Sequence, residues 1–267
     1  MIAFLDKAVA IMRRDLLIAI RHRAGFLITL AGASAELAAF YFLSQAIGPS
    51  FRPEGVEYFP FVLVGTGFYT FLVMGINSFV TTVQEAQQTG TLEVLMSSST
   101  SPAVLVFLSA LSGFAGNVLQ LVFYLGGGLW LARAELPQAN IAGCFLVLLL
   151  SLAIAMEIGL FAVSVQIAIQ KGSAIVWMLG SGLWFLTGAL FPVGTLPKPL
   201  QLVSTLLPVT HSLTGLRQAL LQGAGIPALR NELAILLLFT VVLLPLSLLT
   251  FSFTLRQARQ QGTLSFY

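Results

Sequence analysis

Charge is what this sequence has least of. Only 9% of its 267 residues are Asp, Glu, Lys or Arg, where a soluble domain carries about 25%. That shortfall, with 57% hydrophobic residues and a mean hydropathy of +0.94, excludes a water-soluble fold and points to an integral membrane protein. A net charge of +3 with no basic run interleaved with aromatics argues against a nucleic-acid partner. The one cysteine, Cys144, excludes an intrachain disulfide and reads as a small packing residue. The two histidines, His22 and His211, are expected on opposite sides of the membrane, so they share neither a metal nor a proton. His211 reads as a cap of a short helix or a solvent-facing residue. No H-E-x-x-H, no Ser/His/Asp set and no G-x-x-x-x-G-K-[ST] loop is present; Lys171-Gly172-Ser173 has the wrong order and follows an apolar segment. No catalytic, cofactor-binding or metal-ligating residue is therefore expected in the chain.

What the sequence has in abundance is long apolar runs. A span needs about 20 apolar residues for a hydrocarbon core of about 30 Å, and six segments qualify: Gly25 to Ile47, Tyr58 to Val83, Ala103 to Ala132, Ile141 to Ile169, Ser173 to Phe191 and Leu233 to Thr254. The runs are continuous rather than alternating, which predicts helices and not barrel strands. The fold class is thus an all-α, six-span membrane protein forming one domain over 1–267. Arg13-Arg14-Asp15-Leu16-Leu17 imitates a twin-arginine export signal, but its apolar run stops at Ile20 before Arg21, His22 and Arg23, short of an h-region of about 7–15 residues. Residues 1–23 read instead as an amphipathic interfacial helix, with Phe4, Leu5, Ala8, Ile11 and Met12 recurring at helical spacing.

Six spans put both termini on one side. With the N-terminus inside, the cytoplasm receives Lys7, Arg13, Arg14, Arg21, Arg23, Lys171, Arg256 and Arg259, and the exterior Arg52, Arg133, Lys198, Arg217 and Arg230. Five of the first group precede the first span, where such charges set orientation, so both ends are expected in the cytoplasm, and Tyr41, Tyr58, Phe59 and Trp130 near the outer interface. Between spans five and six, over 192–232, Leu200, Val203 and Leu207 and then Leu213, Leu216 and Leu220 recur at helical spacing, punctuated by Pro197, Pro199, Pro208 and Gly223. This predicts two short re-entrant or capping helices. Glycines such as Gly65, Gly67, Gly75, Gly180, Gly182 and Gly188 read as close helix packing, and Pro245 is expected to kink the sixth span.

Two features carry function. One is a polar island over 84–102, EAQQTGTLEVLMSSSTSP from Glu85 to Pro102, which stands in water between spans two and three and offers Glu85 and Glu93 to another protein. The other is a pair of intramembrane acids, Glu36 and Glu157. A charge at the bilayer centre costs about 2.5–3.5 kcal/mol on translocon scales, and no Lys or Arg lies within the spans to pair with them. Two readings stay open: carriers of protons, or protonated packing groups bonded to Ser34, Ser151 or a backbone carbonyl.

The amphipathic start MRRDLLIAIRHR, the island with GTLEVL and SP, and FPVGTLP followed by LPVTHSLTGLRQALLQG together resemble the ABC type-2 permease family over essentially the whole chain. GTLE after span two is the sharpest element, and Leu207 before Pro208 departs from the Asn common in the family. The resemblance implies a permease subunit of an ABC exporter in the inner membrane, paired with a second protomer as a homodimer or heterodimer, among membrane lipids. ATP and Mg would be bound by separate ABC ATPase subunits. It implies that Glu85 to Ser101 is a coupling helix, with Glu85, Gly90, Thr91, Leu92 and Glu93 at the contact, and that Ala3 to Arg23 is a connecting helix. It further implies a path between protomers lined by spans two and five, here Phe68, Phe71, Met74, Asn77, Met178, Trp184, Phe185 and Thr187, an apolar and aromatic surface suited to a lipid, lipid-linked glycan or amphiphilic drug. A proton-coupled secondary transporter using Glu36 and Glu157 would account for the acids but not for the island.

Overall fold

In the computed structural model, the described residues are 23–89, 117–118, 120–132, 139–169 and 182–261. They contain helices and no strand: α1 (Arg23–Ile47), α2 (Tyr58–Gln88), α3 (Gln120–Ala132), α4 (Ile141–Ile169), α5 (Lys198–Thr205), α6 (Pro208–Leu220) and α7 (Ile226–Gln261). Of these, α1, α2, α4 and α7 are each long and apolar enough to cross a membrane. They coincide with the first, second, fourth and sixth expected spans. Helix α3 is the end of the third, whose earlier part lies outside the described residues, as does the predicted amphipathic helix up to residue 22.

The fifth span differs from expectation at its end. Residues 182–191 run as turns, not as a helix continuing to Phe191. The N–H of Thr187 still reaches the carbonyl of Leu183 at 3.0 Å, but Gly188 has a φ of +79°, a left-handed conformation that ends a helix and that glycine adopts without penalty. The carbonyls of Gly188 and Ala189 then face a side chain of α6, and the glycine is there for the turn rather than for helix packing.

Helix starts follow from local chemistry. Asn140 caps α4: its Oδ1 accepts the N–H of Gly143 at 3.0 Å, satisfying one of the orphan donors of the first turn. Its amide group also donates to the carbonyl of Ala224 at 2.9 Å, and its backbone N–H to that of Ala219 at 2.9 Å. Pro208 opens α6, where its missing N–H costs nothing. Within α2, Thr66, Ser78 and Thr82 return their hydroxyl hydrogens to the carbonyls four residues earlier, at 2.7–2.9 Å, so that polar side chains sit in an apolar helix with their donors used.

Most of α2 is buried, whereas α1 and α7 are largely exposed. Helix α4 packs along both α2 and α7, α6 lies across α2, α4 and α7, and α1 leans on α2. The main core joins Phe68, Phe71 and Phe79 of α2 to Leu213 of α6, Leu236 and Phe251 of α7. Phe79 lies against Gly159 and Gln87 against Gln166, so α2 and α4 are parallel. Leu63 against Gly128 and Gly67 against Tyr124 make α3 antiparallel to α2. Helix α1 is antiparallel too, with Tyr41 edge-on to Phe59 at 5.5 Å. The start of α1 and the end of α7 consequently share one end of the bundle, and α5, α6 and the starts of α2, α4 and α7 share the other. Pro245 lies inside α7, which continues through it.

Candidate functional site

The end of α2 is where the predicted partner segment begins. Its first residues prolong α2: the helix runs through Glu85 to Gln88 and is closed by Thr89, whose N–H and hydroxyl both donate to the carbonyl of Glu85, at 2.9 and 2.7 Å. The reason is packing on α4. Val83, Ala86 and Gln87 are buried while Glu85 is exposed, so one face stays in the core for a full turn beyond the apolar run. Gly90, Thr91, Leu92 and Glu93 lie outside the described residues.

The residues expected to line a path separate along α2. Phe68 and Phe71 are buried within the single chain, their rings stacked 6.3 Å apart. Met74 is half-buried and Asn77 exposed, so this stripe leaves the core toward the Gln88 end. In 182–191, Thr187 is buried and donates to the carbonyl of Trp184 at 3.0 Å. Trp184 is half-buried with its ring 5.8 Å from that of Phe185, which is 51% exposed. Met178 is outside the described residues.

Glu36 stands midway along α1 and lines a cavity of about 230 Å³ between α1, α2 and α3. Its carboxyl shares this cavity with the Tyr124 hydroxyl, which lies 3.0 Å from Thr66 Oγ1. Thr66 in turn is 2.8 Å from the carbonyl oxygen of Val62. A carbonyl only accepts, so Thr66 donates to Val62 and Tyr124 donates to Thr66. Gly67 makes room for the arrangement, because a Cβ there would run into the Tyr124 ring. Gln120 and Asn117 bring two amides to the same cavity, and Phe71, Met74 and Leu121 its apolar wall. Ser34, an expected partner of the acids, instead donates to Leu30.

Glu157 of α4 is 4% exposed and faces α7 beside a space of about 110 Å³ lined by Phe161, Leu243, Leu246 and Ser247. Its Oε2 has no hydrogen-bond partner among the described residues. Ser151, the other expected partner, donates at 2.8 Å to Ser212 of α6, with its own helix's Val147 carbonyl 2.7 Å away. The two acids thus occupy separate places, one in a cavity with amides and hydroxyls and one in an apolar crevice.

Sequence reasoning placed Arg217 among loop cations, but it is 2% exposed. Its Nε and Nη2 donate to the carbonyl of Phe61 at 3.2 and 3.0 Å, Nη1 to that of Gly188 at 2.8 Å, and Nη2 to that of Ala189 at 2.9 Å. The guanidinium also sits 3.5 Å from the centre of the Phe61 ring, a desolvated cation over an aromatic face. Burial pulls its pKa down to about 10, opposed by Glu54, so it stays charged at neutral pH. A Cβ on Gly65 would overlap both the Ala189 carbonyl and this guanidinium. The signal was in the spacing: Arg217 falls on the Leu213, Leu216 and Leu220 stripe of α6.

His211 of α6 is likewise engaged. Nδ1 is 2.7 Å from Oε2 of Glu232 on α7, and Nε2 is 2.9 Å from the carbonyl of Thr205 on α5. Nε2 must donate to that carbonyl, and Nδ1 to an ionised carboxylate, so both contacts are met by the imidazolium. The bond to Glu232 holds its pKa above the ordinary histidine value against the opposing effect of burial. It is a three-helix clasp and not a solvent-facing residue.

A sequence profile of a family described as ABC-2 family transporter protein matches residues 33–249. No curated protein matches the chain.

Proposed function

Because the chain belongs to the ABC-2 transporter family, we propose that it is the membrane-spanning subunit of an ATP-driven exporter, coupled to separate ATPase subunits and paired with a second permease protomer. The family match, which runs from α1 into α7, carries this reading. In it the Gln88 end of the bundle is cytoplasmic, residues 1–23 form the connecting helix at that face, and 85–101 with Glu85 and Glu93 rest on the ATPase. The path between protomers takes an amphiphile, in keeping with the exposed Phe185 and the half-buried Trp184 and Met74.

The geometry supports a mechanical role for α2. Its 31 residues make a rod about 46 Å long at 1.5 Å per residue. One end carries Glu85; the other carries Phe61, whose carbonyl is held by Arg217. Between them most of the helix is buried, and packed helices shift as units rather than deform continuously. A push delivered beyond Gln88 would therefore be felt at α6 and at the turn around Gly188. No phosphate-cradling loop occurs in the sequence, so nucleotide chemistry belongs to the partner.

Copurification with an ABC ATPase, followed by ATP-dependent transport of amphiphiles in vesicles, tests the proposal. The partner-free chain is expected neither to bind nor to hydrolyse ATP; nucleotide binding by it would end this reading.

A further inference from the structure

Glu36 is unused by the exporter reading, although its cavity shares Phe71 and Met74 with the side chains expected along the path. The cavity lining is one-sided in charge. Among the described residues, Glu36 is its one ionisable carboxyl, two amides and the Tyr124 hydroxyl accompany it, and neither Lys nor Arg lines it. An anion would meet a carboxyl with no counter-charge, and a plain hydrocarbon would strand the amides. Phe71 and Met74 continue the wall from Gly67, over about 10 Å along α2 at 1.5 Å per residue. Aromatic faces and a polarisable thioether suit an alkylated cation and its first methylenes.

From this we infer that the cavity between α1, α2 and α3 binds the ammonium headgroup of a cationic amphiphile, with Glu36 as its counter-ion and Phe71 and Met74 against its chain. The ammonium pairs with the Glu36 carboxylate in a low-dielectric setting, where the attraction is stronger than in water. The inference rests on the exporter reading and names the charge of its amphiphile, while binding measured without an ATPase partner can fail with that reading intact.

The test is calorimetric titration of the full chain in phosphatidylcholine nanodiscs with dodecyltrimethylammonium, against empty nanodiscs and with dodecanol and dodecyl sulfate as headgroup controls. One saturable site per chain is expected for the cation alone. Its Kd should rise about tenfold or more in Glu36→Gln, where the counter-charge is removed, and also in Gly32→Phe. A Cβ at Gly32 meets nothing within 4 Å, so the ring can enter the cavity without disturbing the hydrogen-bond chain. If Glu36→Gln does not assemble, Gly32→Phe decides alone. Binding that matches the empty discs, that persists unchanged in Gly32→Phe, or that dodecyl sulfate equals would overturn the inference.

Discussion

Arg217 spends its hydrogen bonds on backbone carbonyls, and this makes it costly to replace. Truncation leaves the carbonyls of Phe61, Gly188 and Ala189 without these donors in a dry place, and breaking such a buried set costs about 3–5 kcal/mol. Lysine offers one compact ammonium where a planar fork serves three carbonyls. Both Arg217→Ala and Arg217→Lys are expected to lower the thermal unfolding temperature in detergent strongly, and Gly65→Ala should do the same by pushing the guanidinium away. A Gly65→Ala protein as stable as the parent would contradict the packing described. Glu157 is expected to behave in the opposite way. Its unpartnered oxygen gains nothing from ionisation in an apolar crevice, so Glu157→Gln, alike in size, should assemble and transport nearly as the parent does across a range of pH. Lost ATP-driven transport in an assembled Glu157→Gln complex would revive a role for proton movement.

His211 gives the element scale a pH dependence. Its pKa is raised in the folded state by Glu232, so the clasp of α5, α6 and α7 contributes fully below the unfolded value of about 6.5 and is lost as pH rises through the higher folded value. Unfolding temperature measured from pH 5 to 9 should fall on the alkaline side, and His211→Gln should flatten that fall. A parent profile already flat would remove the clasp. The same scale shows what a reader of the sequence could and could not see. Apolar runs announced α1, α2, α4 and α7, and leucine spacing with Pro197, Pro199 and Pro208 announced α5 and α6. The end of the fifth span was illegible because Leu183, Trp184, Phe185 and Leu186 are as apolar as any span; hydropathy registers neither the positive φ of Gly188 nor the claim of Arg217 on its carbonyl. The last turn of α2 was hidden for the converse reason. Gln84, Glu85, Gln87 and Gln88 look like loop, yet Gln87 is 1% exposed against Gln166. Of the Glu36 cavity, the acid was visible and the Tyr124 to Thr66 bond beside it was not, since it joins residues 58 positions apart in the sequence.

For the whole molecule, two measurements bear on orientation and coupling. A thiol placed at Ser98 should label from the cytoplasm, and one at Gln201 of α5 from outside or not at all, in a Cys144→Ser background; the reverse pattern would invert the arrangement. Glu93→Ala should leave the protein inserted while separating ATP hydrolysis from transport, because truncating one partner of a buried charged contact at a protein interface costs about 2–5 kcal/mol. Transport at the parent's rate in that variant would reduce the island to a connector.

The arginine clamp also has a bearing on inheritance. A carbonyl is common to every amino acid, so the hydrogen bonds by which Arg217 holds α2 and the turn at Gly188 are written in no pair of side chains. In a saturation library, position 217 should tolerate almost no substitution, while position 189 should be limited only by its lack of space. Neither should show compensating partners: a second-site screen for rescue of Arg217→Ala should return nothing at 188 or 189. Two parts of the protein would then be bound tightly together and yet drift through sequence space as though they had never met.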